Sequence, residues 1–319
     1  MAFDITTLQR GNTICGKALS GSDGKVESGG DVVLTKEVAG MPDEVEVTKE
    51  IAGRVGGSFV YWLSQNAQKN PTMLKICVGT DPRSSGQELK EGVLEAISLW
   101  GAEGTDAGIV TSGAMQMAAA MPQFEFDGAV MITAGDMPAD VNGFRFFAAE
   151  EEPDSEDIAE ILRLASKYNF IGGTYDEIKE ELMPMHSAFQ RQALAQGLSQ
   201  TPGYFRDMHF IVDGGNGAGG IFATDVLGKL GADVSGSYNL EPNGSFPVQG
   251  TNPEDPIAID NMKKAVKDAE ADLGIIFSPD AGRLAAIYAD DIITADGSKA
   301  VDVVVDAVIR KARADKNIG

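Results

Sequence analysis

The stretch Leu74–Gly79 reads LKICVG, a short apolar run bounded by polar residues, and it predicts a buried strand. Downstream, Gln87–Leu99 repeats apolar residues at helical spacing and predicts an amphipathic helix with one apolar face, formed by Leu89, Val93, Leu94 and Ile97. The pattern then predicts a strand at Thr105–Val110, a helix at Ser112–Ala120 and a strand at Gly128–Thr133. Strands that alternate with helices at this spacing are typical of a parallel sheet covered on both faces. The predicted fold class is therefore α/β.

A second α/β unit is predicted after Pro202 and Gly203, which mark a boundary. It opens with a strand at Met208–Val212 and a glycine-rich turn at Asp213–Gly220 (DGGNGAGG). The elements predicted beyond the turn are a helix at Ile221–Leu230, a strand at Ala232–Ser235, a helix at Asn261–Ala269, and strands at Leu273–Phe277 and Leu284–Tyr288.

The last predicted helix, Lys299–Ala314, carries an apolar stripe formed by Val301, Val304, Val305, Val308 and Ile309. Such a stripe needs a covering surface, and the sequence supplies no obvious one beyond it. We therefore expect a protein partner to cover this helix.

The composition indicates a soluble globular protein of two domains, with 319 residues, 43% hydrophobic residues and 23% charged residues. No apolar run is long enough for a membrane-spanning helix. The net charge of −22 argues against nucleic acid and anionic membranes as partners, and leaves solubility or a basic protein partner as its explanation.

The sequence also indicates where the protein is found. Met1–Arg10 does not resemble a secretory signal, although a transit peptide ahead of Met1 stays open. The two cysteines, Cys15 and Cys77, lie far apart and in no metal-ligand spacing. We expect a reducing compartment, either the cytoplasm or the plastid stroma.

Five segments together resemble the α-D-phosphohexomutases, the family of phosphoglucomutases and phosphomannomutases, and look most similar to its plant- and alga-type branch. They are Leu8–Gly16 (LQRGNTICG), Val78–Gly86 (VGTDPRSSG), Thr133–Phe147 (TAGDMPADVNGFRFF), Asp213–Gly220 and Ala271–Tyr288. Any one of them alone is a weak signal, because glycine-rich turns between strand and helix are common.

The resemblance implies two tandem phosphohexomutase-type α/β/α domains with mixed, largely parallel sheets, at residues 1–190 and 191–290. Residues 291–319 are expected to be the helical remnant of a third domain, and the fourth domain is expected to be absent. Active members surround a cleft with a phosphoryl-carrying serine, three Mg²⁺-binding aspartates, a sugar-reading loop and a phosphate clamp.

The serine loop departs from the pattern of active members, which read Thr-Ala-Ser-His-x-Pro. Here Gly135 stands where the resemblance places the nucleophilic serine, and Asp136 stands where it places a histidine. Glycine has no oxygen to carry a phosphoryl group, and a carboxylate beside that group has the wrong sign for catalysis. The resemblance therefore implies no catalytic residue in this loop.

The metal loop departs in the same way, since active members read Asp-x-Asp-x-Asp-Arg after a buried strand. Ser278 and Gly282 replace two of the three acids, and only Asp280 remains. One carboxylate does not make a useful Mg²⁺ site, so we expect no metal and no cofactor. Arg283 is expected to pair with Asp280.

Cys15 replaces an arginine that the resemblance assigns to phosphate binding. Residual positive charge for a sugar phosphate remains at Arg83, Arg145 and Arg283. Weak sugar-phosphate binding is therefore possible on the sequence.

The preferred hypothesis is a catalytically inactive, phosphohexomutase-like protein that acts as a structural or interaction subunit of a larger assembly. The protein partner is expected to cover the last helix and the open cleft. Two alternatives stay open: an active hexose-phosphate mutase with a displaced mechanism, and a sugar-phosphate sensor that binds without turnover.

Overall fold

The computed structural model describes residues 4–19, 26–28, 31–33, 45–149, 152–170, 172–198, 204–247, 250–288 and 291–315. The chain forms two compact units, Met1–Leu182 and Met183–Gly319. The division lies ahead of the predicted domain boundary at residue 190, at the start of a helix.

The first unit is built on a seven-stranded mixed sheet. Its strands are β1 (Gln9–Arg10), β2 (Thr13–Lys17), β5 (Lys75–Thr80), β6 (Glu103–Ile109), β7 (Gly128–Ile132), β8 (Val141–Ala148) and β9 (Ile178–Lys179). A separate two-stranded ribbon is formed by β3 (Val26–Ser28) and β4 (Asp31–Val33). The order in the sheet is β1-β2-β8-β7-β5-β6-β9. Strands β7, β5, β6 and β9 are parallel neighbours, whereas β1, β2 and β8 add an antiparallel edge.

Helices cover both faces of this sheet, as the alternating pattern predicts. Three helices share one apolar core with alternate residues of the sheet: α1 (Lys49–Asn66), α2 (Gly86–Leu99) and α4 (Ser155–Ala165). Helix α3 (Ser112–Ala120) buries Met115 beside Gly79 on the strand β5. The fold is therefore α/β with mixed sheets, as expected.

Capping residues define where the helices of this unit begin. Thr48 accepts a hydrogen bond from the Ile51 amide at the start of α1. Asp154 and Asp157 form a reciprocal capping box at the start of α4. Asp157 also accepts a bond of 3.0 Å from the Trp62 indole, which ties α4 to α1.

The second unit has a four-stranded sheet, β10 (Phe210–Asp213), β11 (Leu273–Phe277), β12 (Arg283–Tyr288) and β13 (Asp291–Asp296), paired in that order. β10 and β11 are parallel, and the following pairs are antiparallel. Helix α6 (Pro256–Asp268) packs on one face. The other face packs against residues of α5 (Leu182–Gly197), of the segment 222–227 and of α7 (Ala300–Asp315).

Two predicted elements of this unit take other forms. Ala232–Ser235 is not a strand, since only Asp233 makes an isolated bridge, to His209. The predicted helix Ile221–Leu230 contains a π-helix at Phe222–Leu227 and a 3₁₀ turn at Gly228–Leu230. Flanking glycines and β-branched residues disfavour a regular α-helix in this segment.

Helix α7 lies in the second compact unit. Val304 and Val308 of its apolar stripe are buried in the core of that unit, together with Ala307. The chain itself therefore covers this side of the stripe, and the partner expected at this helix stays a proposal. Ile309 remains 36% exposed.

None of the described helices has the length and apolarity that a membrane span requires.

Candidate functional site

The loop that follows β7 is held by a buried hydrogen-bond network. The Thr133 hydroxyl donates to Asp81 Oδ2 at 2.7 Å and accepts from the Gly135 amide at 3.0 Å. The Met137 amide donates to the Ala134 carbonyl at 3.1 Å, which closes a turn. The loop is therefore an ordered part of the first unit.

Arg83 lies beneath this loop with a side chain that is fully buried. Its guanidinium pairs with Asp81 and donates to the carbonyl oxygens of Gly135 (3.0 Å) and Met137 (2.5 Å). These contacts make Arg83 a structural residue of the loop. The structure thus places one of the three predicted phosphate contacts inside the protein.

Gly135 has a φ of +58°, in the left-handed region that favours glycine. A Cβ built at this position meets no other atom within 4 Å, so the loop presents bare backbone to open space. Asp136 follows and is half-buried. The loop has kept its turn and, at Gly135, carries no oxygen nucleophile.

Cys15 lies in β2, directly opposite Gly143 of β8. Cys15 is 6% exposed. Burial raises the pKa of Cys15, and this effect outweighs the opposing influence of nearby Arg10 and Arg83. The position that the resemblance assigns to an arginine therefore holds a neutral, buried thiol.

The turn between β11 and β12 holds the three positions of the predicted metal loop. Ser278 and Asp280 are buried. Asp280 Oδ1 accepts from the Ser278 hydroxyl and from the Gly282 amide, both at 2.9 Å. The turn therefore brings positions 278, 280 and 282 together, as expected, but their polar atoms form hydrogen bonds with one another.

These residues do not fit Mg²⁺. The ion requires several hard oxygen ligands in octahedral geometry, and the turn offers one carboxylate whose Oδ1 already accepts two hydrogen bonds. A Cβ at Gly282 would lie 2.8 Å from Asp280 Oδ2, so a side chain at this position would require the Asp280 carboxylate to shift. Within the described ranges, no three His, Cys, Asp or Glu side chains form a potential metal cluster.

The other two predicted phosphate contacts are engaged in ion pairs at the surface. Arg283 pairs with Glu254, which precedes α6. Arg145 pairs with Glu152 at 3.0 Å and lies over the Phe147 ring at 4.9 Å. The two arginines belong to different units of the chain.

The glycine-rich turn after β10 uses its own amides internally. The amides of residues 214–218 donate to Tyr238 O, Asp213 Oδ1, Asn239 O, Gly214 O and Pro279 O, in that order. A phosphate-binding turn needs amides that point at the ligand. The glycine-rich turn therefore contributes to the internal packing of the second unit.

Asp213 is a buried acid that the sequence analysis did not single out. Its Oδ1 accepts from the Gly215 amide (2.9 Å) and from Asn239 Nδ2 (3.0 Å). Burial raises the pKa of Asp213 to about 6, against the opposing effect of these hydrogen bonds and of Tyr238. The sequence signal was present, since an acid directly follows the apolar run FIV of the strand.

Two family models match the chain. "Phosphoglucomutase/phosphomannomutase, alpha/beta/alpha domain I" matches residues 33–171, and the corresponding domain II model matches residues 192–291. One range lies in each of the two units.

Curated relatives carry the same names. The chain is 29% identical over 296 residues to a phosphoglucomutase/phosphomannomutase of Thermococcus kodakarensis, covering 88% of the chain and 60% of the relative. It is 26% identical over 263 residues to a phosphomannomutase/phosphoglucomutase of Pseudomonas aeruginosa, covering 79% and 54%. The chain thus spans about 60% or less of the length of these relatives.

Solved structures share the fold. A phosphoglucomutase/phosphomannomutase family protein from Burkholderia thailandensis aligns with a TM-score of 0.67 at 19% identity, covering 90% of this chain and 56% of that one. The phosphoglucomutase parafusin from Paramecium aligns with a TM-score of 0.58 at 15% identity, covering 77% and 52%.

Proposed function

The chain belongs to the phosphoglucomutase/phosphomannomutase family, and from this membership we propose that it is a catalytically inactive member that serves as a structural or interaction subunit of a larger assembly. The observation that carries the proposal is Gly135. It occupies the expected serine position in a loop whose fold is intact, held by Arg83, Asp81 and Thr133. Without a carrier oxygen, the phosphoryl group has no covalent intermediate on the protein.

The turn Ser278–Arg283 supports the same proposal. Phosphoryl transfer depends on positioning and on neutralising the charge of the transferred group. A turn whose single carboxylate is bound by its neighbours supplies neither a second nor a third metal ligand. We therefore propose that the chain uses no Mg²⁺ and no other cofactor.

The alternative of a sugar-phosphate sensor has less support. Arg83 is buried under its loop, and Arg145 and Arg283 each have a carboxylate partner. Binding a phosphate at any of them would require breaking an ion pair. The net charge of −22 further disfavours the approach of an anion.

A coupled mutase assay tests the proposal. We expect no turnover of glucose 1-phosphate or mannose 1-phosphate above background, with Mg²⁺ and with or without a sugar bisphosphate activator. We also expect Gly135→Ser to remain inactive, because the metal turn would be unchanged. The positive control is an active family member assayed in the same buffers.

Two results would contradict the proposal. Mg²⁺-dependent turnover by the unmodified chain, abolished by Asp280→Ala, would show an active mutase with a displaced mechanism. Saturable binding of glucose 1-phosphate or glucose 6-phosphate without turnover, measured by calorimetry, would favour the sensor.

The interaction role is tested by what co-purifies with the chain from its native source. We propose a basic protein partner, because the surface is strongly acidic, and a reducing compartment, because Cys15 and Cys77 are both free and buried. Recovery of the chain alone, after cross-linking in the cell extract, would argue against a subunit role.

A further inference from the structure

The four-stranded sheet of the second unit has two edges, and the chain covers one of them. At the edge formed by β10, the Phe210 amide donates to the Asp233 carbonyl at 2.9 Å and the Tyr238 amide donates to the Val212 carbonyl at 3.0 Å. Strand β13 forms the other edge. Among the residues that the structure describes, no backbone hydrogen bond joins β13 to a segment other than β12. This side of β13 therefore presents N–H and C=O groups to which another strand can bind.

Strand β13 also lacks the features that usually protect a sheet edge, which are shortness, lysine, proline and bulges. The outer strands of the sheet in the first unit, β1 and β9, are 2 residues long and contain Arg10 and Lys179. β13 has 6 residues, contains no Lys, Arg or Pro, and pairs with β12 in unbroken register. The β13 edge is therefore long and regular enough to accept an added strand.

One face of the sheet is apolar at this edge and is left partly uncovered. Ile293 and Ala295 pack against the core that includes residues of α7. On the opposite face, Ile292 lies beside Ile287 of β12, which is fully buried in the core under α6. Ile292 itself is 46% exposed, so that core ends before the edge. An apolar side chain on an added strand would bury Ile292 and extend this face.

The charges of β13 indicate what kind of strand can be added. Its only charged residues are Asp291 and Asp296, one at each end. If a second copy paired its own β13 in register, an antiparallel arrangement would place Asp291 opposite Asp296, and a parallel one would place each aspartate beside its counterpart. Both arrangements bring like charges together, and the net charge of −22 adds to the repulsion. A segment with basic residues has the complementary charge.

We infer that the β13 edge is a docking surface for an extended segment of a basic protein, which adds to the sheet as a fifth strand. The segment carries an apolar residue beside Ile292 and a Lys or Arg opposite Asp291 and opposite Asp296. Main-chain hydrogen bonds supply the affinity of such an added strand, and its alternate side chains supply the specificity. The inference deepens the proposed interaction role and rests on it for its biological meaning.

The first experiment uses the unmodified chain and an acetylated, amidated peptide, Lys-Val-Thr-Val-Val-Lys. In antiparallel register its lysines lie opposite Asp296 and Asp291, and a valine lies opposite Ile292. Hydrogen exchange of individual amides is followed by NMR. We expect saturating peptide to slow the exchange of the outward-facing β13 amides by about tenfold or more, with no change in β1 or β9.

Two control peptides separate strand addition from attraction between charges. One has glutamate in place of both lysines, and the other is N-methylated at its four internal residues, which removes the donors from both of its edges. We expect each to bind about tenfold more weakly or worse. Equal binding of the N-methylated peptide, or no slowing of exchange at millimolar concentrations of the unmodified peptide, would overturn the inference.

The second experiment compares two variants of the chain. Ile292→Lys removes the apolar contact and places a cation at the docking edge, so we expect the affinity for the lysine peptide to fall about tenfold or more. Ile178→Lys makes the same change on β9, at a residue that is 43% exposed, and should alter the affinity less than about twofold. Thermal scans check that both variants remain folded. Equal affinities of the two variants would place the peptide elsewhere.

Other occupants of the edge have distinct signatures in the unmodified chain without peptide. Slow exchange of all β13 amides would mean that another segment of the chain already covers the edge, and protection that grows with protein concentration would mean that a second copy does. Either result would overturn the inference. Mutase turnover would contradict the proposed inactivity, yet leave the comparisons of peptides and variants unaffected. Failure of the peptide to bind would leave that inactivity untouched.

Discussion

At the scale of single residues, buried polar groups distinguish this chain. Arg83 offers a guanidinium that the sequence assigned to phosphate, but the fold uses it to hold a loop. Ser278 and Asp280 bind each other in a turn that the sequence assigned to a lost metal. In each case a residue type compatible with ligand binding has become part of the packing.

Asp213 gives a pH dependence with a definite sign. Its pKa is about 6 in the folded protein and 3.8 when unperturbed, so the folded state binds the proton more tightly. The stability contributed by this group is fully present below about pH 4 and is lost as the pH rises through 6, a change of about 3 kcal/mol. Asp213→Asn keeps an oxygen that can accept from Gly215 and Asn239, and we expect it to remove this loss.

The measurement is denaturant unfolding of the unmodified chain and of Asp213→Asn from pH 4 to pH 8. The result is the difference between their free energies of unfolding at each pH. The difference isolates Asp213 from His186, whose pKa is lowered to about 4 by burial and whose effect therefore has the opposite sign. Asp233→Asn is the control, because that carboxylate is exposed and bonds with Ser235 lower its pKa. Parallel curves for the unmodified chain and Asp213→Asn would refute the prediction.

At the scale of elements, helix α7 is the clearest difference between expectation and structure. The stripe was correctly predicted from its spacing, but its covering surface is the core of the second unit. The helix follows β13 through a short 3₁₀ turn at Gly297–Lys299, which returns the chain to the sheet. Packing, and not the sequence pattern, decides what a stripe contacts.

Val304→Ala tests this assignment. Val304 is fully buried, so the truncation should lower the free energy of unfolding by about 2 kcal/mol through lost burial and a residual cavity. Ile309→Ala, at a position 36% exposed on the same helix, should cost less than about 0.5 kcal/mol. Chemical denaturation measures the free energy of unfolding of the two variants. Equally small losses in both would mean that α7 is peripheral to the second unit.

At the scale of the whole molecule, charge is the dominant property. A net charge of −22 on 319 residues produces self-repulsion in the folded state, and screening by salt weakens it. The Debye length falls from about 10 Å at 0.1 M to about 3 Å at 1 M ionic strength. The excess negative charge therefore destabilises the folded state most strongly at low salt.

We expect the midpoint of thermal unfolding to rise when NaCl is increased from about 0.02 M to about 0.5 M, because repulsion between like charges is reduced. KCl at the same ionic strength should have the same effect, since screening does not depend on the identity of the monovalent cation. Calorimetric scans in both salts measure the shift. A midpoint that falls with salt would show that attractive surface ion pairs outweigh the net repulsion.

The sequence by itself determined the α/β class, the family and the substituted positions Gly135, Ser278 and Gly282. It also determined the strands β5, β6, β7, β10, β11 and β12 and the helices α2, α3, α6 and α7. These follow from local periodicity and from motifs whose residues are close in the chain, and both are readable without a fold. Two predictions differ from the structure, the strand at Ala232–Ser235 and the helix at Ile221–Leu230. Both lie in short segments where glycine and β-branched residues weaken the periodic signal.

Only the tertiary structure decided what each polar or apolar side chain contacts. Arg83 reaches carbonyl groups more than fifty positions away in the chain, Arg283 pairs with Glu254, and Val304 is covered by its own unit. Asp213 acquires its raised pKa from burial, which no local pattern reports. The physical reason is that desolvation and pairing depend on which distant segments the fold brings together, whereas a sequence pattern records only the neighbours along the chain.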